Sequence, residues 1–297
     1  IASDGSLSTP TAGTSNVRFG VNAGNSIVSG GSYNVVVGDE AGTALTVGDE
    51  SVAVGFEALM TVTSGAENVG IGYRALKLTT GNSNVAVGKN ALATNSSASN
   101  NTAVGNNALT ANTTGTQNVA VGSAALDANT TGSGNIGVGL NALGANTTAS
   151  NNTGVGQDVL AANTTGTENT ALGANALDAN TTGSYNVALG SYSLTADTLG
   201  ARNVAIGRSA LQAQNFTSAT DSYNTGVGYA AGAAVTTGIY NTLIGGLAGL
   251  SLTDADENTA IGLGALQSDT KGSKSVAVGR LTLGSQNFTS ATDTYNT

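Results

Sequence analysis

Read for its apolar positions, the chain repeats one short phrase: Asn, a β-branched residue, a small residue, an apolar residue, then Gly, as in residues 101–105 (NTAVG) and 118–122 (NVAVG). The closing glycines fall at Gly20, Gly38, Gly55, Gly72, Gly88, Gly105, Gly122, Gly139, Gly156, Gly173, Gly190, Gly207, Gly228, Gly245, Gly262 and Gly279. Most steps are 17 residues, with single steps of 18, 16 and 21. Self-similarity at one short period marks a solenoid, whose units bury their apolar faces only by stacking. Seventeen residues are too few for two helices and a turn but hold two short strands and two turns. The pattern predicts an all-β, parallel β-solenoid of about sixteen coils.

Positions three and one before each glycine, such as Val85 and Val87, are β-branched or apolar and two apart. They therefore share a strand face, which is expected to be the core. The column between them is small: Ala53, Ala86, Ala103, Ala120, Ala171, Ala188, Ala205, Ala260 and Ala277, with Arg18, Val36 and Leu243 as exceptions. A solvent-facing strand normally carries polar side chains, so this column is expected to pack against another chain. Four residues after the glycine stands Leu, as at Leu92 and Leu109, or Gly, at Gly24, Gly42, Gly232 and Gly249. This reads as a second core strand, followed by Asn-Thr-Thr-Gly turns. The expected organisation is a lead-in at residues 1–15 and a continuous array over 16–297, with a further repeat opening at Asn296.

Composition narrows the chemistry. The chain has no Cys, His or Trp, which removes Ser-His-Asp and Cys-His catalysis and thiolate or imidazole metal sites; no cofactor is called for. Its 18 acidic and 9 basic residues give a net charge of -9, which disfavours nucleic acid. No apolar run nears the ~20 residues that span a bilayer, so no direct membrane insertion of this segment is expected. The opening IASDGSLSTPTAG has neither an initiator Met nor a signal-peptide pattern and reads as a window from a longer chain.

The unit resembles the head repeats of trimeric autotransporter adhesins of the YadA type, with residues 51–55 and 275–279, both SVAVG, the nearest matches. It also resembles shaft repeats of phage tail fibres of the same β-roll type. The likeness covers about residues 16–297. It implies a left-handed β-roll and a homotrimer, in a rigid extracellular rod on a bacterial surface or virion tail that presents or contributes contacts to a host receptor or glycan. The expected function is structural and adhesive, not enzymatic. Alternatives are a self-assembled extracellular filament, a polysaccharide-cleaving tailspike and an ice-binding solenoid.

Candidate sites are few. QNFTSATDSYNT at 214–225 and QNFTSATDTYNT at 286–297 carry Phe216, Tyr223, Phe288 and Tyr295, which could meet a ligand or fold back over the coil. The turn asparagines Asn112, Asn129, Asn146, Asn163 and Asn180 form glycosylation sequons, which an Asn- and Thr-rich turn also creates by chance. Thr113, Thr130, Thr147, Thr164 and Thr181 make a regular array of the ice-binding kind. Asp254, Asp256 and Glu257 offer oxygens to Ca²⁺ or form a solvated turn.

Overall fold

The computed structural model describes residues 13–296. Residues 1–12, most of the expected lead-in, and Thr297 lie outside the described residues. The chain divides into two compact units, residues 1–135 and 136–297.

In the first unit seven three-residue strands follow one another: β1 (Val17–Phe19), β2 (Val35–Val37), β3 (Val52–Val54), β4 (Val69–Ile71), β5 (Val85–Val87), β6 (Thr102–Val104) and β7 (Val119–Val121). Each pairs in parallel with the next, column on column: Thr102 with Val119, Ala103 with Ala120, Val104 with Val121. The second unit holds β8 (Ile136–Val138), β9 (Thr153–Val155), β10 (Thr170–Leu172) and β11 (Val187–Leu189). After the short β12 (Gly200–Ala201) come β13 (Val204–Ile206), the short β14 (Thr220–Asp221), β15 (Thr225–Val227), β16 (Thr242–Ile244) and β17 (Thr259–Ile261). The short β18 (Gly272–Ser273), then β19 (Val276–Val278) and the short β20 (Thr292–Asp293), complete it. Main strands again pair in parallel and in column, while β12 pairs with β14 and β18 with β20. The described residues include no helix. Each unit is a parallel β-solenoid, as the period predicts.

The repeated glycine is explained by its backbone. Its φ lies between 123° and 143° throughout, a region only glycine visits readily. A Cβ at Gly88 would lie 2.4 Å from the carbonyl oxygen of Gly105, the same position one coil on. The chain therefore has no room for a side chain where one coil steps onto the next.

The strand faces are the reverse of those expected. Ala53, Ala86, Ala103, Ala120, Ala171, Ala188, Ala205, Ala260 and Ala277 are buried inside the coil, and the β-branched residues on either side of them point outward. The alanines are small because Leu fills the opposite side of a narrow interior: a Cβ at Gly70 would lie 3.2 Å from Leu59 Cγ. The exceptions follow the same volume rule. Val36 is buried where Leu would otherwise stand at Gly42, and a Cβ there would meet Val36 Cγ1 at 3.2 Å. Leu243 and Gly249 make the same exchange, with an approach of 2.7 Å to Leu243 Cδ2. These alanines are thus unavailable to a second chain.

The predicted second core strand is a run of turns. Leu92, Leu109 and Leu126 sit in the left-handed region with φ of 50°, 51° and 52°. That conformation costs a branched residue ~1–2 kcal/mol, against ~1.5–3 kcal/mol gained by burying the side chain fully. The Leu109 N–H also donates to Ala125 O at 3.0 Å, so the backbone stays bonded along the axis without strand geometry.

Candidate functional site

Three sets of side chains remain after the packing is accounted for: a polar interior, an apolar exterior and a decorated corner.

Inside, two asparagine columns run along each stack. In the first, the strand-entry asparagines lie next to the buried alanines: Asn118 N–H donates to Asn101 Oδ1 at 3.0 Å, and Asn118 Nδ2 donates across the coil to Gly132 O at 2.8 Å. In the second, Asn112 Nδ2 donates to Asn95 Oδ1 at 2.9 Å and to Gly115 O at 2.9 Å. Asn129 donates to Asn112, Asn163 to Asn146 and Asn180 to Asn163 in the same way. The sequon asparagines Asn112, Asn129, Asn146, Asn163 and Asn180 are therefore buried, and their amides are committed to the ladder. Glycosylation at these five is corrected on that ground, since a glycan on Nδ2 would have to leave through the packed coil.

The next position of this column after Asn180 is Asp197, which is also buried. Its Oδ1 accepts Gly200 N–H at 2.9 Å and its Oδ2 accepts Gln214 Nε2. Gln214 Oε1 in turn accepts Asn224 Nδ2 at 2.8 Å. Nothing donates to Asn180 Oδ1, the one buried side-chain polar atom without a partner among the described residues. Burial is the largest influence on the Asp197 carboxyl and raises its pKa, despite the hydrogen bonds from Gln214 and from the backbone of Gly200, Phe216 and Leu199.

Outside, the columns flanking the alanines expose Ile71, Val104 and Val121 in the first unit and Leu172, Ile206, Ile244, Ile261 and Val278 in the second. They stack at the strand spacing, ~4.8 Å, so each unit carries a continuous apolar stripe on its sheet.

At the corner before each strand, residues with positive φ form another column. In the second unit it runs Asn151, Glu168, Tyr185, Arg202, Tyr223, Tyr240, Glu257, Lys274, Tyr295. The Arg202 guanidinium lies 4.7 Å from the Tyr185 ring centre and 5.8 Å from that of Tyr223, and it pairs with Asp221 at 3.1 Å. Tyr223 stacks on Tyr240 at 5.8 Å. Tyr223 is 48% exposed, while Phe216 is only 6% exposed and lies folded back on the coil. The arrangement recurs 72 residues on: Lys274 binds Asp293 at 2.6 Å and lies 5.4 Å from the ring centre of Tyr295, which is 70% exposed, and Phe288 is half-buried. Of the four aromatics singled out in the sequence, Tyr223 and Tyr295 are exposed, Phe216 is buried and Phe288 lies between.

Compared with known proteins, the chain matches no family model and no curated protein.

Two depressions mark the surface of the second unit. The larger, about 720 Å³, is a shallow cleft over Thr195, Ala196, Gln212, Ala213, Ala233 and Ala234, with few polar groups. The smaller, about 450 Å³, lies beside the tyrosine column between Thr182–Tyr185 of one corner and the β12–β14 pair. Thr113, Thr147, Thr164 and Thr181 give their hydroxyls to the carbonyl of the next coil, at 3.0 to 3.3 Å, which accounts for that array by axial bonding. At the acidic turn, Asp254 pairs with Lys271 at 3.2 Å and Asp256 accepts Ile239 N–H at 2.8 Å. Burial and the neighbouring Glu257, Asp254 and Asp293 raise the Asp256 carboxyl. Among the described residues no group of three acidic side chains is placed to hold a metal ion, and no helix is long and apolar enough to cross a membrane.

Sequence reasoning missed the Asp197–Gln214–Asn224 chain and the Arg202–Asp221 pair. Aligning the chain on the repeat would have found both, because Asp269, Gln286 and Asn296 and then Lys274 and Asp293 stand 72 residues further on.

Proposed function

We propose that the chain is a non-enzymatic structural and adhesive fibre segment, extracellular on a bacterial surface or virion tail, built from three copies packed through their outward apolar stripes. The observation that carries this reading is the stripe itself. Val, Ile and Leu recur on the solvent side of every main strand, where the alanine interior has no use for them. Exposed apolar surface of such continuity marks association, and identical stripes on identical chains bury one another symmetrically. The trimer number and a left-handed turn come from the likeness to adhesin and tail-fibre repeats, and the receptor-contact role follows from the same likeness.

Light scattering on residues 1–297 tests it. The expected mass is three chains, falling to one in Val104→Glu/Val121→Glu with the β circular dichroism unchanged. A folded single chain without the substitutions would overturn the assembly.

A further inference from the structure

The smaller hollow in the second unit has the composition of a sugar subsite. Its lining includes the apolar residues Leu199, Ala201 and Ala219. Beside them the lining carries polar residues: Thr182, Ser184, Tyr185, Thr220 and Asp221. The frame exists because this coil is longer than its neighbours. The 21-residue step from Gly207 to Gly228 adds the residues that form β14, and β14 pairs with β12 to raise the wall carrying Thr220 and Asp221. Arg202 fixes two lining groups together, since its guanidinium pairs with Asp221 and covers one face of the Tyr185 ring.

We infer that this hollow binds an uncharged hexopyranose unit of a surface polysaccharide. A pyranose ring presents an apolar C–H face to apolar residues such as Leu199 and Ala201 and hydroxyls around its edge to hydroxyls and carboxylate. A volume of about 450 Å³ is in the range of small-ligand sites. Charge selects against acidic sugars: the lining carries the exposed Asp221 carboxylate and no Lys or Arg, the neighbouring Arg202 is already paired with that carboxylate, and the whole chain carries -9. A phosphate or nucleotide would lack an uncommitted cation. The aromatic column works by holding the lining. Tyr223 has Arg202 toward one face and Tyr240 stacked on the other, so its ring offers an edge rather than a stacking platform.

The inference rests on the adhesive reading above but is tested apart from assembly. Saturation-transfer NMR on the full chain uses the methyl glycosides of glucose, galactose, mannose and N-acetylglucosamine as probes, with glucuronate as the acidic control and the mass measured on the same samples. Transfer to the ring protons of at least one neutral glycoside is expected. It should weaken at least tenfold in Ala201→Trp and in Thr182→Trp, each of which plugs the hollow from its lining. Ala213→Trp, in the larger cleft, should leave it unchanged. Transfer that survives both plugs in folded protein overturns the location. Stronger binding of glucuronate than of every neutral probe overturns the class. No transfer from any neutral probe overturns the site, whatever the mass of the assembly.

Discussion

The residue that sets the geometry of each coil is the glycine, and its role can be tested singly. Gly105→Ala would put a methyl 2.3 Å from Gly122 O in a backbone of φ 143°. A loss of ~2–4 kcal/mol is expected in chemical denaturation, combining strain and overpacking. Asp197 gives a test through pH. Its folded pKa is raised by burial, so the folded state holds the proton more tightly than the unfolded chain. That contribution to stability is complete below the unfolded value, ~3.9, and is lost as pH rises through the folded one. Wild type should therefore lose stability between acid and neutral pH relative to Asp197→Asn, and equal slopes for the two proteins would refute it. The asparagine ladder makes a third case. Asn163→Ala removes the bond to Asn146 Oδ1 and the acceptor of Asn180 Nδ2, while Gly166 O keeps the bond from Asn152 Nδ2. A loss of ~1–3 kcal/mol for a buried polar group deprived of its partner is expected, measured by the same unfolding curve.

At the scale of the strand, period and glycine column were legible in the sequence, and the facing was not. Alternation assigns residues to two sides of a strand but does not say which side is inside. Bulk suggested that Val85 and Val87 were core and Ala86 was surface, and the interior proved too narrow for bulk on both sides. The missing clue lay in the exceptions. Val36 with Gly42, and Leu243 with Gly249, exchange large for small across the coil, which only residues in mutual contact need do. The strand-entry asparagines carried a second clue, because they lie two positions from the alanines and share their face. The Leu turn was hidden for a different reason: a leucine with φ near 50° contradicts its own backbone preference, and burial overrides it. A double-mutant cycle checks the volume rule. Ala103→Val should cost ~1–3 kcal/mol, and adding Leu109→Gly should cost less than the sum of the two single changes.

At the scale of the whole chain the coil is the unit of change. Removing residues 106–122 joins Gly105 to Ser123 and leaves every column continuous, so a cooperative melt and unchanged β dichroism are expected. Removing Ala103 alone shifts one strand by a residue and turns its buried side outward, and hydrogen exchange should then show protection lost around that coil. The candidate sites were less legible than the fold, because the hollow depends on how a longer coil lies against its neighbours, which no column shows; the Arg202–Asp221 pair was visible only through its counterpart 72 residues on. The buried ladder also has an electrical sense. In the second unit Asn163 and Asn180 each send Nδ2–H toward the preceding rung, so their amide dipoles align head to tail and add. The negative end of that sum falls on Asn180 Oδ1, and the next rung is Asp197, whose carboxyl burial already raises above its ordinary pKa; a negative dipole end beside it acts in the same direction.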